Sequence, residues 1–276
     1  MLRILLVFAL LALLGFAQAP DLAMTKKNAE GGDARAQFDF GMMYHKGDGL
    51  PKDYAKAVKW YRLAAAQGEA NAQNNLGIMY AKGEGVPKDD VESANFYRLS
   101  AEQGNVDAQW NLGYRYTVGR GLPKDDAEAV KWYRLAADQG NVKAQNSLGV
   151  AYWEGKGVAV DINQAHYWLK KAATRGDKDA SKNLEAIYKA SISGHRQAAE
   201  QGNVSAQFNL GVAYYNGDGV SKDLVQAHAW LNIARANGFE DAKQALVIIE
   251  EKMTDSQKER AMDLARELFA KLPKGK

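Results

Sequence analysis

Four histidines, recurrent Gly-x-Gly pairs and a set of aromatic side chains are the features of this 276-residue sequence that invite a chemical reading. His166 and His228 fall in a position held elsewhere by Val58, Ala94 and Val130. That position is structural, so both are expected as packed side chains and not as ligands. His45 and His195 have no recurring carboxylate or histidine neighbour at metal-ligand spacing. The Gly-x-Gly pairs, such as Gly83-Glu84-Gly85, resemble phosphate-binding loops only superficially. They lack a third glycine, a preceding strand and the Gly-Lys-Ser/Thr element. No Gly-x-Ser-x-Gly elbow is present. Cysteine is absent, which removes a thiol nucleophile, a Cys-ligated zinc site, a disulfide framework and a lipid-modified cysteine. No catalytic residue, cofactor or metal is therefore expected, and the chain reads as a non-enzyme.

The composition agrees with a folded soluble chain: hydrophobic residues are 46% and charged residues 25%. Lys and Arg number 36 against 33 Asp and Glu, a formal charge of +3, which gives no basic excess for a nucleic-acid partner. Arg3 opens an uncharged apolar run from Ile4 to Ala17. A membrane span needs about 20 apolar residues, so this shorter run reads as a secretory signal. Cleavage is expected after Ala17, in Gly15-Phe16-Ala17; the alternative after Ala19 would leave Pro20 at the new terminus. The mature chain is expected to be periplasmic or secreted, without membrane insertion.

The elements that must position any functional side chain follow a 36-residue period. Ala-Gln recurs at Ala36-Gln37, Ala72-Gln73, Ala108-Gln109 and Ala144-Gln145. Each repeat carries Leu or Phe at +4, Gly at +5, Tyr at +8 and Gly at +11 and +13, as in Phe40, Gly41, Tyr44, Gly47 and Gly49. Ala36, Phe40 and Tyr44 lie four apart on one stripe of a first helix. Gly47 and Gly49 end it, Pro51 shapes the turn, and Asp53 is a good N-cap for a second helix. The buried stripe expected there is Ala57, Trp60 and Ala64, with the aromatic returning at Phe96, Trp132, Trp168 and Trp230.

The segments 72–89 (AQNNLGIMYAKGEGVPKD) and 129–145 (AVKWYRLAADQGNVKAQ) resemble Sel-one-like repeats, relatives of the tetratricopeptide repeat. The resemblance runs from about Asp33 to Asp255. It implies an all-α, right-handed α-solenoid of stacked helix pairs. It also implies a scaffold in envelope signalling, assembly or host contact, binding a protein partner through its concave face; an envelope glycan is the alternative. Some cysteine-rich relatives are described as hydrolases of beta-lactams; this cysteine-free chain departs from them, so that activity is not carried over, and an envelope hydrolase stands as the third reading. Alignment with tetratricopeptide grooves implies partner-binding positions at Phe38, Met42, Trp110, Tyr114, Trp153, Phe208 and Tyr215, with Asn75, Asn111 and Asn209 beside them.

The expected organisation is a signal at 1–17, a cap remnant at 18–32, and repeats one to four with the first helix of a truncated fifth at 33–190. The rest of that repeat, a sixth and a degenerate seventh fill 191–254, and a capping helix and tail fill 255–276. In the fifth, Ala180 is followed by the next Ala-Gln at Ala206-Gln207, so ten residues are missing, including the Gly-Pro-Asp loop. A short second helix is expected there, with Gly194 in its aromatic position. Thr254-Asp255-Ser256-Gln257 reads as a capping box opening a polar closing helix.

Overall fold

The computed structural model describes residues 22–273; the expected signal segment lies outside them. All the regular structure among the described residues is helical. The chain divides into two compact units, 1–144 and 145–276. The first holds α1 (Leu22–Glu30), α2 (Ala34–Lys46), α3 (Tyr54–Ala66), α4 (Ala70–Lys82), α5 (Asp90–Glu102), α6 (Val106–Val118) and α7 (Asp126–Asp138). The helix α8 (Val142–Glu154) begins there and continues into the second. The second goes on with α9 (Ile162–Ala173), α10 (Lys178–Glu200), α11 (Val204–Asn216), α12 (Leu224–Ala236), α13 (Asp241–Glu250) and α14 (Asp255–Lys271). In the first unit, consecutive helices from α1 to α7 pack on each other; in the second, α9 packs on α10, α10 on α11, α11 on α12, and α12 on both α13 and α14. The all-α class of packed helix pairs is as expected.

Local chemistry sets the helix boundaries. Asp53, at φ −149°, accepts the backbone N–H of Lys56 at 2.9 Å and starts α3; Asp89, Asp125, Asp161 and Asp223 do the same for α5, α7, α9 and α12. Gly47 takes φ +84°, a left-handed conformation that ends α2 while its N–H still bonds the Met43 carbonyl. The mid-helix glycine has a different cause. A Cβ on Gly77 would sit 2.6 Å from Cδ1 of Tyr97, so the first helix must be bare where the ring of the second lies on it. Gly41 against Tyr61 and Gly113 against Tyr133 repeat the contact.

That contact corrects the expected core stripe. Ala57 and Ala64 are buried, but Trp60 is only half-buried, edge-on to Phe40 at 5.0 Å. In the first unit the ring sealed inside is the next one, Tyr61, Tyr97 and Tyr133; in the second, Leu169 and Leu231 take that place and the expected Trp168 and Trp230 are buried as well. Trp60 and Tyr61 are about 100° apart around the helix, so either can face the neighbour, and the bare glycine selects Tyr61.

The glutamines of four Ala-Gln pairs are satisfied buried amides. Gln73 Nε2 donates to the Ala65 carbonyl at 3.3 Å, and its Oε1 accepts from Gln103 at 2.6 Å. Gln37, Gln109 and Gln207 make the equivalent pairs. Each ties the preceding second helix to the following one, which is why a polar residue persists in the core.

The truncated repeat differs from expectation. No separate short second helix exists; α10 runs unbroken over 23 residues and packs on both α9 and α11. With the Gly-Pro-Asp loop gone, nothing there ends a helix. Gly194 alone is tolerated, at a cost of about 1 kcal/mol relative to Ala. The terminal helix α14 opens with the expected capping box of Thr254 and Gln257.

Candidate functional site

In the first unit, α4, α6 and the start of α8 enclose an open recess of about 430 Å³. It is lined by Asn74 and Ile78 from α4, Asp107, Trp110 and Asn111 from α6, and Asn141, Val142 and Lys143 from the next repeat. Trp110 and Tyr114, one turn apart on α6, stack with centroids 6.0 Å apart and planes 22° apart. Tyr114 is 43% exposed, while Trp110 is half-buried. The Lys143 ammonium lies 4.9 Å over the Trp110 ring, a cation–π contact that holds the indole in place. Asn111 Nδ2 donates to Asn74 Oδ1 at 3.1 Å, and Asn141 Nδ2 to Asp107 Oδ1 at 3.2 Å. The recess therefore offers an aromatic platform edged by amides, a carboxylate and an ammonium.

The structure thus brings Trp110, Asn111 and Tyr114 together. It treats the other expected positions differently. Phe38 is buried, stacked on Tyr61 at 5.9 Å under the Arg35 guanidinium, so it is core and not groove. Met42 is half-buried against the same cluster, and its Sδ accepts from Asn75 Nδ2 at 3.3 Å. Both side chains are engaged by the repeat's own packing. In the second unit, Trp153 is half-buried and Asn209 exposed. Phe208 lies under Phe239 at 4.5 Å, covered by the following segment of the stack. Tyr215 is flanked by Lys222 and Lys252, and the Lys252 ammonium donates to its hydroxyl.

Sequence reading missed Asp107, Asn141 and Lys143, which sit at the mouth of helices and not on the expected stripe. It also missed Arg115. This buried guanidinium donates to Asp90 Oδ1 at 2.6 Å and Ser93 Oγ at 3.0 Å, where other repeats place Met43 or Met79. The Arg115 bond holds the Asp90 carboxyl below the usual range. The only signal was an arginine in a methionine position.

Three of the four histidines pair within the fold. His45 Nδ1 lies 3.1 Å from the Tyr61 hydroxyl and His166 Nε2 2.5 Å from that of Tyr188. His228 Nε2 is 3.0 Å from Glu250 Oε1. Burial lowers the pKa of His45 and of His166, the latter with help from Lys170. Among the described residues, no three His, Cys, Asp or Glu side chains gather as metal ligands do, and no helix is long and apolar enough to cross a membrane.

A model of the Sel1 repeat matches residues 34–69, 70–105, 106–141, 142–177 and 204–239. A crystal structure of a protective antigen present in uropathogenic Escherichia coli strains, displaying an SLR fold, is 34% identical with a TM-score of 0.60. That match covers 91% of this chain but 56% of the antigen, so this chain spans little more than half the antigen's length. A Sel1 repeat protein from Oxalobacter formigenes is 30% identical with a TM-score of 0.53, over 86% of this chain and 88% of that one. No curated protein matches the chain at a significant level.

Proposed function

Because this chain belongs to the Sel1 repeat family, we propose that it is a non-catalytic, exported scaffold holding a segment of a protein partner in the recess around Trp110 and Tyr114. Its repeats are a scaffold of the kind that generally mediates protein–protein interaction. The observation that carries the reading is the stacked aromatic pair, kept out of the core by a recess open to solvent. Rigid aromatics at such positions supply much of an interface's binding energy, and truncating a hot spot costs about 2 kcal/mol or more. The chain immobilised on resin should retain a protein from envelope extract of its native host. The W110A/Y114A double variant should lose it.

A glycan is the second reading, favoured by the amides and the Asp107 carboxylate beside the rings, since sugar faces stack on aromatics and sugar hydroxyls bond amides. A co-purifying saccharide in place of a protein would establish it. The exported location rests on the Arg3-led apolar run, and a relative described as a protective antigen agrees with it. N-terminal sequencing of the native protein should read from Gln18. A start other than Gln18 or Pro20 would count against the placement, and retention of Met1 would overturn export by a cleaved signal.

A further inference from the structure

Three leucines that the packing leaves uncovered recur at the repeat period. Leu63, Leu99 and Leu135, on α3, α5 and α7, are 43%, 48% and 49% exposed. One turn earlier on the same helix faces lie the half-buried Trp60, Phe96 and Trp132. Arg62, Arg98 and Arg134 directly precede the leucines, and Lys59 and Lys131 lie one turn back. Isolated exposed leucines need no explanation, but the same apolar pair on three successive second helices forms a row.

The sixth repeat shows what covers such a pair. Counted from its Ala206-Gln207, the matching residues are Trp230 and Ile233 on α12. Both are buried, at 4% and 2% exposure, in one cluster with Leu264, Ala265 and Leu268 of α14. Asn232, in the position of the arginines, donates Nδ2 to Met262 Sδ of the same helix at 3.0 Å. The second helix of a repeat therefore carries an apolar seat of the shape that one amphipathic helix fills. The fourth repeat closes its seat differently: Lys171 stands in the leucine position, with Nζ 5.0 Å over the buried Trp168 ring.

We propose that the row of Leu63, Leu99 and Leu135 is a docking surface for an amphipathic helix of a partner protein. Its apolar face is of leucine and alanine, as on α14, and its flank is acidic. The apolar face follows from the seat that α14 occupies on α12. The acidic flank follows from the cations at Lys59, Arg62 and Arg98; the phenol hydroxyls of Tyr80 and Tyr116, which Arg62 and Arg98 bond, do not neutralise them, whereas Lys131 is already paired with Glu128. This surface lies on the second helices and is separate from the recess of the first helices.

The probe is a labelled synthetic peptide of residues 255–271, alone and with R260E and R266E, titrated onto the full chain by fluorescence anisotropy. Both peptides should bind saturably. The acidic one should bind several-fold tighter at low salt, with the advantage shrinking as salt rises. The triple variant L63Q/L99Q/L135Q should lose at least tenfold in affinity while keeping the helical circular dichroism and melting temperature of the parent. The single variant L99Q and photo-crosslinking from the peptide provide independent readouts, with crosslinks expected on α3, α5 or α7. Absence of saturable binding, unchanged affinity in the leucine variants, or crosslinks elsewhere would overturn the proposal. So would a concentration-dependent dimer of the free chain abolished by L99Q, which would assign the row to a second copy.

Discussion

Tyr114 and Tyr133 sit on neighbouring helices of one repeat, yet one faces solvent and the other is sealed against Gly113. The contrast separates binding from folding. W110A/Y114A should keep the parent's chemical-denaturation midpoint to within about 1 kcal/mol, since the equivalent positions hold Asn74 and Ile78 in the preceding repeat. Tyr133→Ala, which empties a core position, should cost about 3–5 kcal/mol. It is a better control than Trp132→Ala, because Trp132 is only half-buried. If the groove double variant unfolds as readily as Tyr133→Ala, those rings are structural. Gly77→Ala opposes two effects of known size. Helix propensity favours Ala by about 1 kcal/mol, whereas overpacking costs about 1–3 kcal/mol. The Tyr97 ring 2.6 Å from the new methyl is itself buried and cannot swing away, so overpacking should win and the urea midpoint should fall. A rising midpoint would mean that the ring yields.

At the scale of elements, α10 stands apart. It spans 23 residues but buries only Ala180, Ile187, Ile192 and Ala199, whereas the 13-residue α4 buries Ala72, Gln73, Asn74, Leu76, Gly77 and Met79. Sparse burial lowers the cost of local opening. Amides of 185–205 should therefore exchange faster than those of α4 or α6, and equal protection would refute this. Gly194 lies in the middle of the helix, and a Cβ there meets nothing within 4 Å. Gly194→Ala should slow that exchange and stabilise the chain by about 0.5–1 kcal/mol. A loss of stability would show that the glycine has a packing role.

For the whole molecule, stability should depend on pH through its half-buried histidines. His45 in the first unit and His166 in the second are both depressed by burial, so each binds its proton more readily in the unfolded chain. Their contribution is complete above the unfolded value of about 6.5 and is lost as pH falls through the lower folded values. Thermal midpoints should hold from pH 8 to 7 and decline below about 6.5. Replacing both histidines, as H45N/H166N, should flatten that decline; an unchanged slope would place its origin in other groups.

The amino-acid sequence by itself determined the period, the helix pairs and nearly every helix boundary, because caps and glycine stops act within one turn and the chain states them repeatedly. It also placed Trp110, Asn111 and Tyr114 together on one helix, α6. The tertiary structure decided what depends on neighbours. It chose Tyr61 over Trp60 for the core, placed Phe38 under Arg35 and Phe208 under Phe239, and spent Asn111 on Asn74. Each choice turns on which helix covers a given face, and residues adjacent in sequence differ there by only about 100° of rotation. The seating of α14 on α12 has the same origin. Local propensity allows a helix, but the surface left open by the preceding repeats determines where it rests.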